Sequence, residues 1–140
     1  MMMRKKHKGF TLIELLVVIA IIGLLATLAV VALNNARAKS RDARRISDIK
    51  QIQTALEMYY NDATRYPATA DIVIGSAIAT GSNTFMVSIP GDPSGTGGGY
   101  TYVYTGGGTA DYTITFQLES GTGGFTSGAD ITAKPSGIVQ

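Results

Sequence analysis

A single carboxylate stands in a long apolar stretch. Residues 10–33 read FTLIELLVVIAIIGLLATLAVVAL, and Glu14 is their one ionisable side chain. A charged carboxylate in hydrocarbon costs at least a few kcal/mol, so it marks a functional position and calls for a partner. Attraction to a cation is many times stronger away from water than in it. The chemistry open to Glu14 is therefore pairing, or else snorkelling to a membrane surface from its place near the start of the stretch. Other reactive side chains are few. The chain has no cysteine, which excludes a disulfide framework, a thiolate metal site and a thiol nucleophile. Its one histidine, His7, lies in a short basic leader, so the body of the protein can hold neither a histidine-based triad nor an imidazole-ligated metal. These absences weigh against an enzyme.

The elements that carry Glu14 follow from periodicity. Twenty-four residues, 10–33, make a helix of roughly 36 Å, enough for a roughly 30 Å hydrocarbon core. A secretory signal peptide has a shorter apolar region, about 7–15 residues. Arg4, Lys5, Lys6 and Lys8 precede the span, while Arg37, Lys39, Arg41, Arg44 and Arg45 follow it, so charge alone does not fix its orientation. Within the span Gly23 lowers helix stability by about 1 kcal/mol relative to alanine, or else serves close helix packing. Beyond the span, Ile46, Ile49, Ile52, Leu56 and Tyr59 recur at steps of three and four, the period of one helical face. One helix is predicted from Phe10 to about Asp62, roughly 80 Å long. Residues 37–45, with Asp42 and Asp48, read first as a solvated face, and second as a site for anionic lipid headgroups or a bridge between subunits.

The residues Lys8-Gly9-Phe10-Thr11-Leu12-Ile13-Glu14 resemble the prepilin cleavage motif of type IV pilins and type II secretion pseudopilins. A short basic leader ends in glycine, an aromatic residue follows, and one glutamate comes five residues after the glycine. The resemblance implies that a prepilin peptidase removes residues 1–9, cutting between Gly9 and Phe10, and methylates the new amine of Phe10. It implies that Glu14 pairs with the Phe10 amine of a neighbouring subunit and sets the stagger between copies. It also implies that the helix can unwind near Gly23, although residues 29–32 lack the proline that many pilins carry there. The expected function is a structural subunit of a type IV pilus or pilus-like filament. A pseudopilin of a type II secretion system and a single-pass anchored domain that never polymerises are the alternatives. The partners implied are identical subunits, the peptidase, an inner-membrane assembly platform and membrane lipid. The implied location is the inner membrane before assembly, then an extracellular or periplasmic filament.

The distal residues, 63–140, are glycine-rich: residues 75–140 hold 15 of the 17 glycines. Tyr66-Pro67 is predicted to end the helix, because proline disfavours helix in the residue before it, and the dipeptide resembles the same junction in major pseudopilins. Strands are predicted at residues 85–89, at 100–105, at 111–119 with Tyr112, Ile114, Phe116 and Leu118 on one face, and near Ile131. The fold class is α+β: a long N-terminal helix, apolar first and amphipathic after, packed by a small antiparallel sheet. The tyrosines read as core and sheet surface rather than a stacking platform. After removal of the leader, eight basic residues face ten acidic ones, and no nucleic-acid partner is expected. The family resemblance raises calcium in the C-terminal loop, with Asp92, Asp111 and Asp130 as the carboxylates to consider, though no EF-hand pattern is present.

Overall fold

The computed structural model describes residues 9–95, 98–108 and 111–140. Most of the predicted leader, residues 1–8, lies outside them. The chain divides into two compact units, Met1–Ala36 and Arg37–Gln140. Helix α1 (Leu12–Ala63) contributes to both.

In the first unit α1 is apolar on every face. Leu12, Ile13, Leu15, Ile19, Leu24 and Leu33 are each at least half exposed. Of residues 12–33 only Glu14 and Thr27 are polar, too few to mark out a 3.6-residue stripe. By length and hydropathy the segment qualifies as a membrane span, and none of its most apolar window is buried within the protein. The helix passes through Gly23 without a break, and the space around that glycine is open. Thr27 satisfies its hydroxyl by donating to the Leu24 carbonyl at 2.8 Å.

The second unit has a closed core of its own. The later part of α1 buries Ile49, Ile52, Ala55, Leu56 and Tyr59, as the three-four spacing predicts. The helix stops at Ala63, where Thr64 takes the left-handed conformation (φ 54°) and its N–H donates to the Tyr60 carbonyl at 2.8 Å. A 3₁₀ turn at Thr69–Asp71 follows. A hairpin of β1 (Ile78–Thr80) and β2 (Asn83–Met86) comes next, its two-residue turn made by Gly81 and Ser82, with Gly81 at φ 54°. Strand β2 lies two to three residues before the predicted 85–89 stretch.

Four more strands, β3 (Val103–Thr105), β4 (Thr113–Phe116), β5 (Ile131–Lys134) and β6 (Gly137–Val139), form an antiparallel meander in chain order. Register places Tyr104 beside Ile114, Ile114 beside Ala133, and Ala133 beside Ile138. Alternation sends Ile114, Phe116, Ile131 and Ala133 inward, each at most 1% exposed, to pack with Ile49, Ile52 and Leu56. Tyr112 and Leu118, just outside β4, are buried with them, and each large side chain so buried contributes about 1.5–3 kcal/mol.

The Tyr66-Pro67 junction is a hub. Tyr66 packs edge-on against Tyr112 at 4.7 Å between centroids, and its hydroxyl donates to Glu57 at 3.1 Å. The Pro67 carbonyl accepts from the Tyr104 hydroxyl at 2.9 Å. Burial, aided by the Glu57 charge, pushes the Tyr66 hydroxyl up to about 12.

Candidate functional site: a carboxylate at the helix start and a buried ion cluster

The first candidate site lies where α1 begins. Gly9 and Phe10 precede the helix and are exposed, Phe10 by 80%. Glu14 is in the first turn. One of its carboxylate oxygens accepts from the Thr11 backbone N–H at 2.8 Å and from the Thr11 hydroxyl at 2.6 Å. In return the Glu14 N–H donates to Thr11 Oγ1 at 3.3 Å. This reciprocal pair is a capping box, which satisfies donors that a helix start otherwise leaves open. The Thr-x-x-Glu spacing of Thr11 and Glu14 is the sequence signature of such a box, which gives Glu14 a structural role beside the electrostatic one. Gly9, Phe10, Thr11 and Glu14 thus fall within six residues of a single helix entrance.

The second site was not foreseen as one. The solvated face expected over residues 37–45 holds for Arg37, Lys39 and Arg44 but not for Asp42 and Arg45. Asp42 and Arg45 are fully buried and Asp48 is 7% exposed. These charges continue the apolar stripe: positions 42, 45, 49, 52, 56 and 59 step by three and four along α1. That phase was the signal available in the sequence. That phase alone does not imply burial, because charged side chains are almost never fully buried unless paired, and the pairs come from loops far along the chain.

Arg45 is the centre of the cluster. Its Nε donates to Asp92 Oδ2 at 2.5 Å and its Nη1 to Asp42 Oδ1 at 2.8 Å. Its Nη2 lies 2.7 Å from both Ser94 Oγ and Glu119 Oε1. The guanidinium also stacks over the Tyr100 ring at 4.5 Å. Arg41 holds Glu119 from the other side through a two-pronged pair. The backbone N–H groups of Glu119 and Ser120 each donate to Asp42 at 2.8 Å. A helix and two loops, at residues 92–94 and 119–120, are therefore fastened at one point.

The electrostatics follow from these contacts. The Arg41 guanidinium, with help from Arg45 and Ser94 against the cost of burial, holds Glu119 down at about 2. For Asp42, burial acts upward but is outweighed by donors from Ser120, Glu119 and Arg45, and its carboxyl lies below the ordinary range. Asp92 shows the same balance, with Arg45 as the main opposing force. Asp48 goes the other way: burial raises it, and the Arg44 contact at 4.0 Å offsets that only in part.

The three aspartates considered for calcium are not brought together. Asp92 belongs to the Arg45 cluster, Asp111 accepts from the Tyr112 N–H, and Asp130 accepts from Gln117.

A methylation-type entrance on an apolar helix, leading into a small β-sheet head, defines the class of type IV pilin-like proteins. Residues 4–30 match the prokaryotic N-terminal methylation motif. Residues 31–134 match the type II secretion system protein G family, and the chain belongs to that family. A relative from Vibrio cholerae, a type II secretion system core protein G, is 32% identical over 137 residues, covering 91% of each chain. Core protein G of Aeromonas hydrophila is 43% identical over 68 residues, 49% of this chain and 48% of the relative. The Escherichia coli protein is 45% identical over 64 residues, 46% of this chain and 44% of the relative. In these last two matches the chain spans about half the length of the curated relative or slightly less. No solved structure matches the chain.

Proposed function

We propose that this chain is the repeating subunit of a type II secretion pseudopilus. A prepilin peptidase cuts between Gly9 and Phe10 and methylates Phe10. The subunit waits in the inner membrane with its apolar helix in lipid, engages an assembly platform, and joins a periplasmic filament of identical copies. The observation that carries this reading is the helix of the first unit. Its large side chains from Phe10 to Leu33 are exposed all round, while the second unit closes a core without them. Cover for the helix must therefore come from outside the chain, first from lipid and then from other copies. Packing one patch of a subunit on a different patch of the next, without ring closure, yields a helical filament.

Glu14 supplies the register. Once cut, the chain has a cationic amine at Phe10, and a neighbour's Glu14 is its counter-charge in an apolar medium. Family membership favours a secretion pseudopilus over a surface type IV pilus, and the two share this assembly chemistry. The test is Glu14→Ala and Glu14→Gln in the full chain. Leader removal is expected to continue, with N-methyl-Phe10 at the mature end by mass spectrometry. Filament yield by electron microscopy is expected to drop by about tenfold or more, since truncating one partner of a desolvated pair costs several kcal/mol. Wild-type yield from Glu14→Ala would remove the assigned role. A cleaved, methylated chain that never forms filaments would favour the non-polymerising anchor instead.

A further inference from the structure

The family resemblance implies a calcium ion fastening the C-terminal loop, and the side chains of that region do not fit one. Calcium takes six to eight oxygens. Asp92 spends Oδ2 on the Arg45 Nε and Oδ1 on the Arg45 Nη2 and the Ser94 N–H. Asp111 caps the neighbouring Tyr112 N–H, and Asp130 is held by Gln117, just past the end of β4. Among the described residues no three acidic or imidazole side chains stand close enough to share a metal.

The loop is fastened all the same, and the charge that reaches it is a guanidinium. Glu119 is clamped by Arg41 and Arg45, and Ser120 is tied to Asp42 through both its N–H and its hydroxyl. Farther on, Ser127 donates to the Glu119 carbonyl and the Gly128 N–H to the Leu118 carbonyl, closing the loop on itself. The same Arg45 holds Asp92 and Ser94 in the other loop.

We propose that Arg45, assisted by Arg41, does in this head what a divalent ion would otherwise do: it is the resident cation that gathers Asp42, Asp92 and Glu119 and locks both loops to the helix without metal. Three carboxylates meet two guanidinium groups, and the backbone N–H groups of Ser94, Glu119 and Ser120 take up the remaining acceptor capacity. Arg45 is fully buried and directs its Nε, Nη1 and Nη2 groups at oxygens while the Tyr100 ring covers one face. A planar, permanently charged fork suits this task better than a lysine or a hydrated ion. An added divalent ion would meet a fixed positive charge where its ligands converge.

The test uses the full-length chain in detergent micelles, with thermal unfolding followed by circular dichroism in EDTA and in millimolar calcium. The expected result is one melting temperature in both. A midpoint that falls in EDTA and recovers with calcium would overturn the proposal. Arg45→Gln is expected to lower the midpoint by about 10 °C or more, because it leaves buried carboxylates without their cation; a wild-type midpoint would count against the assignment. Should that variant not fold, the half-exposed Arg41→Gln decides. Proteolytic cleavage within residues 119–128 is then expected to rise severalfold with no response to calcium. Cleavage at the wild-type rate, or cleavage suppressed by calcium in the variant or the wild type, would show that something other than the arginines holds the loop.

Discussion

At the scale of residues, the buried cluster makes the head sensitive to acid in a defined direction. Glu119 is held at about 2 against an ordinary 4.5, and Asp42 and Asp92 are also depressed. A carboxyl depressed by folding adds stability that is fully present above its unfolded value and is lost as pH falls through its folded value. Stability is therefore expected to hold from neutral pH down to about 4.5 and to fall between there and about pH 2. Asp48 is raised, so its protonation opposes part of that loss. Melting temperature measured against pH checks this. Glu119→Gln should begin lower at pH 7 and fall less over the acid range; a parallel, undiminished fall would assign the acid sensitivity elsewhere. The residues of this cluster show what the sequence could and could not say. Asp42 and Arg45 sat in phase with Ile49 and Ile52, which gave their face but not their partners. Asp92 lies 47 positions from Arg45 and Glu119 lies 78 from Arg41, and no local pattern announces pairs at that separation. Glu14 stands out in the sequence because its isolation among apolar residues is itself a signal.

At the scale of elements, local chemistry predicted the parts that are long or strictly periodic. The apolar stripe of α1 and the alternation at residues 112–118 both came through with the expected faces buried. Strands β1 and β6, three residues each, are too short to show alternation. The end of α1, predicted at about Asp62 ahead of Tyr66-Pro67, falls at Ala63, through a threonine in a conformation that β-branched residues rarely take. Among the described residues Thr64 is the one non-glycine with positive φ. Helices commonly end on glycine at this position because it has no Cβ to strain. Thr64→Gly is therefore expected to stabilise the head by about 1 kcal/mol, read as a higher urea midpoint with an unchanged slope. A loss of stability would mean that the Thr64 hydroxyl, which donates to the Ala63 carbonyl at 2.7 Å, outweighs the strain.

At the scale of the whole molecule, the two units draw their stability from different sources. Every buried core residue, from Ile49 to Ala133, belongs to the unit that begins at Arg37. Among the described residues the first unit buries no large side chain of its own. A fragment of residues 37–140 is accordingly expected to be a soluble monomer with one cooperative unfolding transition, checked by light scattering and calorimetry. A fragment that is unfolded or aggregates would show that the apolar helix contributes to folding of the head. A segment apolar all round and a segment apolar on one stripe cannot bury themselves in the same way. The sequence alone left the choice between a pilus and a secretion filament open, since its helix entrance resembles that of both and the glycine-rich distal loops carry little local pattern.

The mixed character of the helix stripe has a mechanical consequence. An all-apolar seam has no preferred position along its axis, and a load applied to the helix could slide it past the sheet at modest cost. Here the seam ends in Arg45. Slippage by one turn, about 5.4 Å, would pull the guanidinium out of its nest of oxygens into surroundings that cannot hydrate it. The seam therefore has a detent: within the head, the later part of the helix is keyed to one position along the sheet and resists creep.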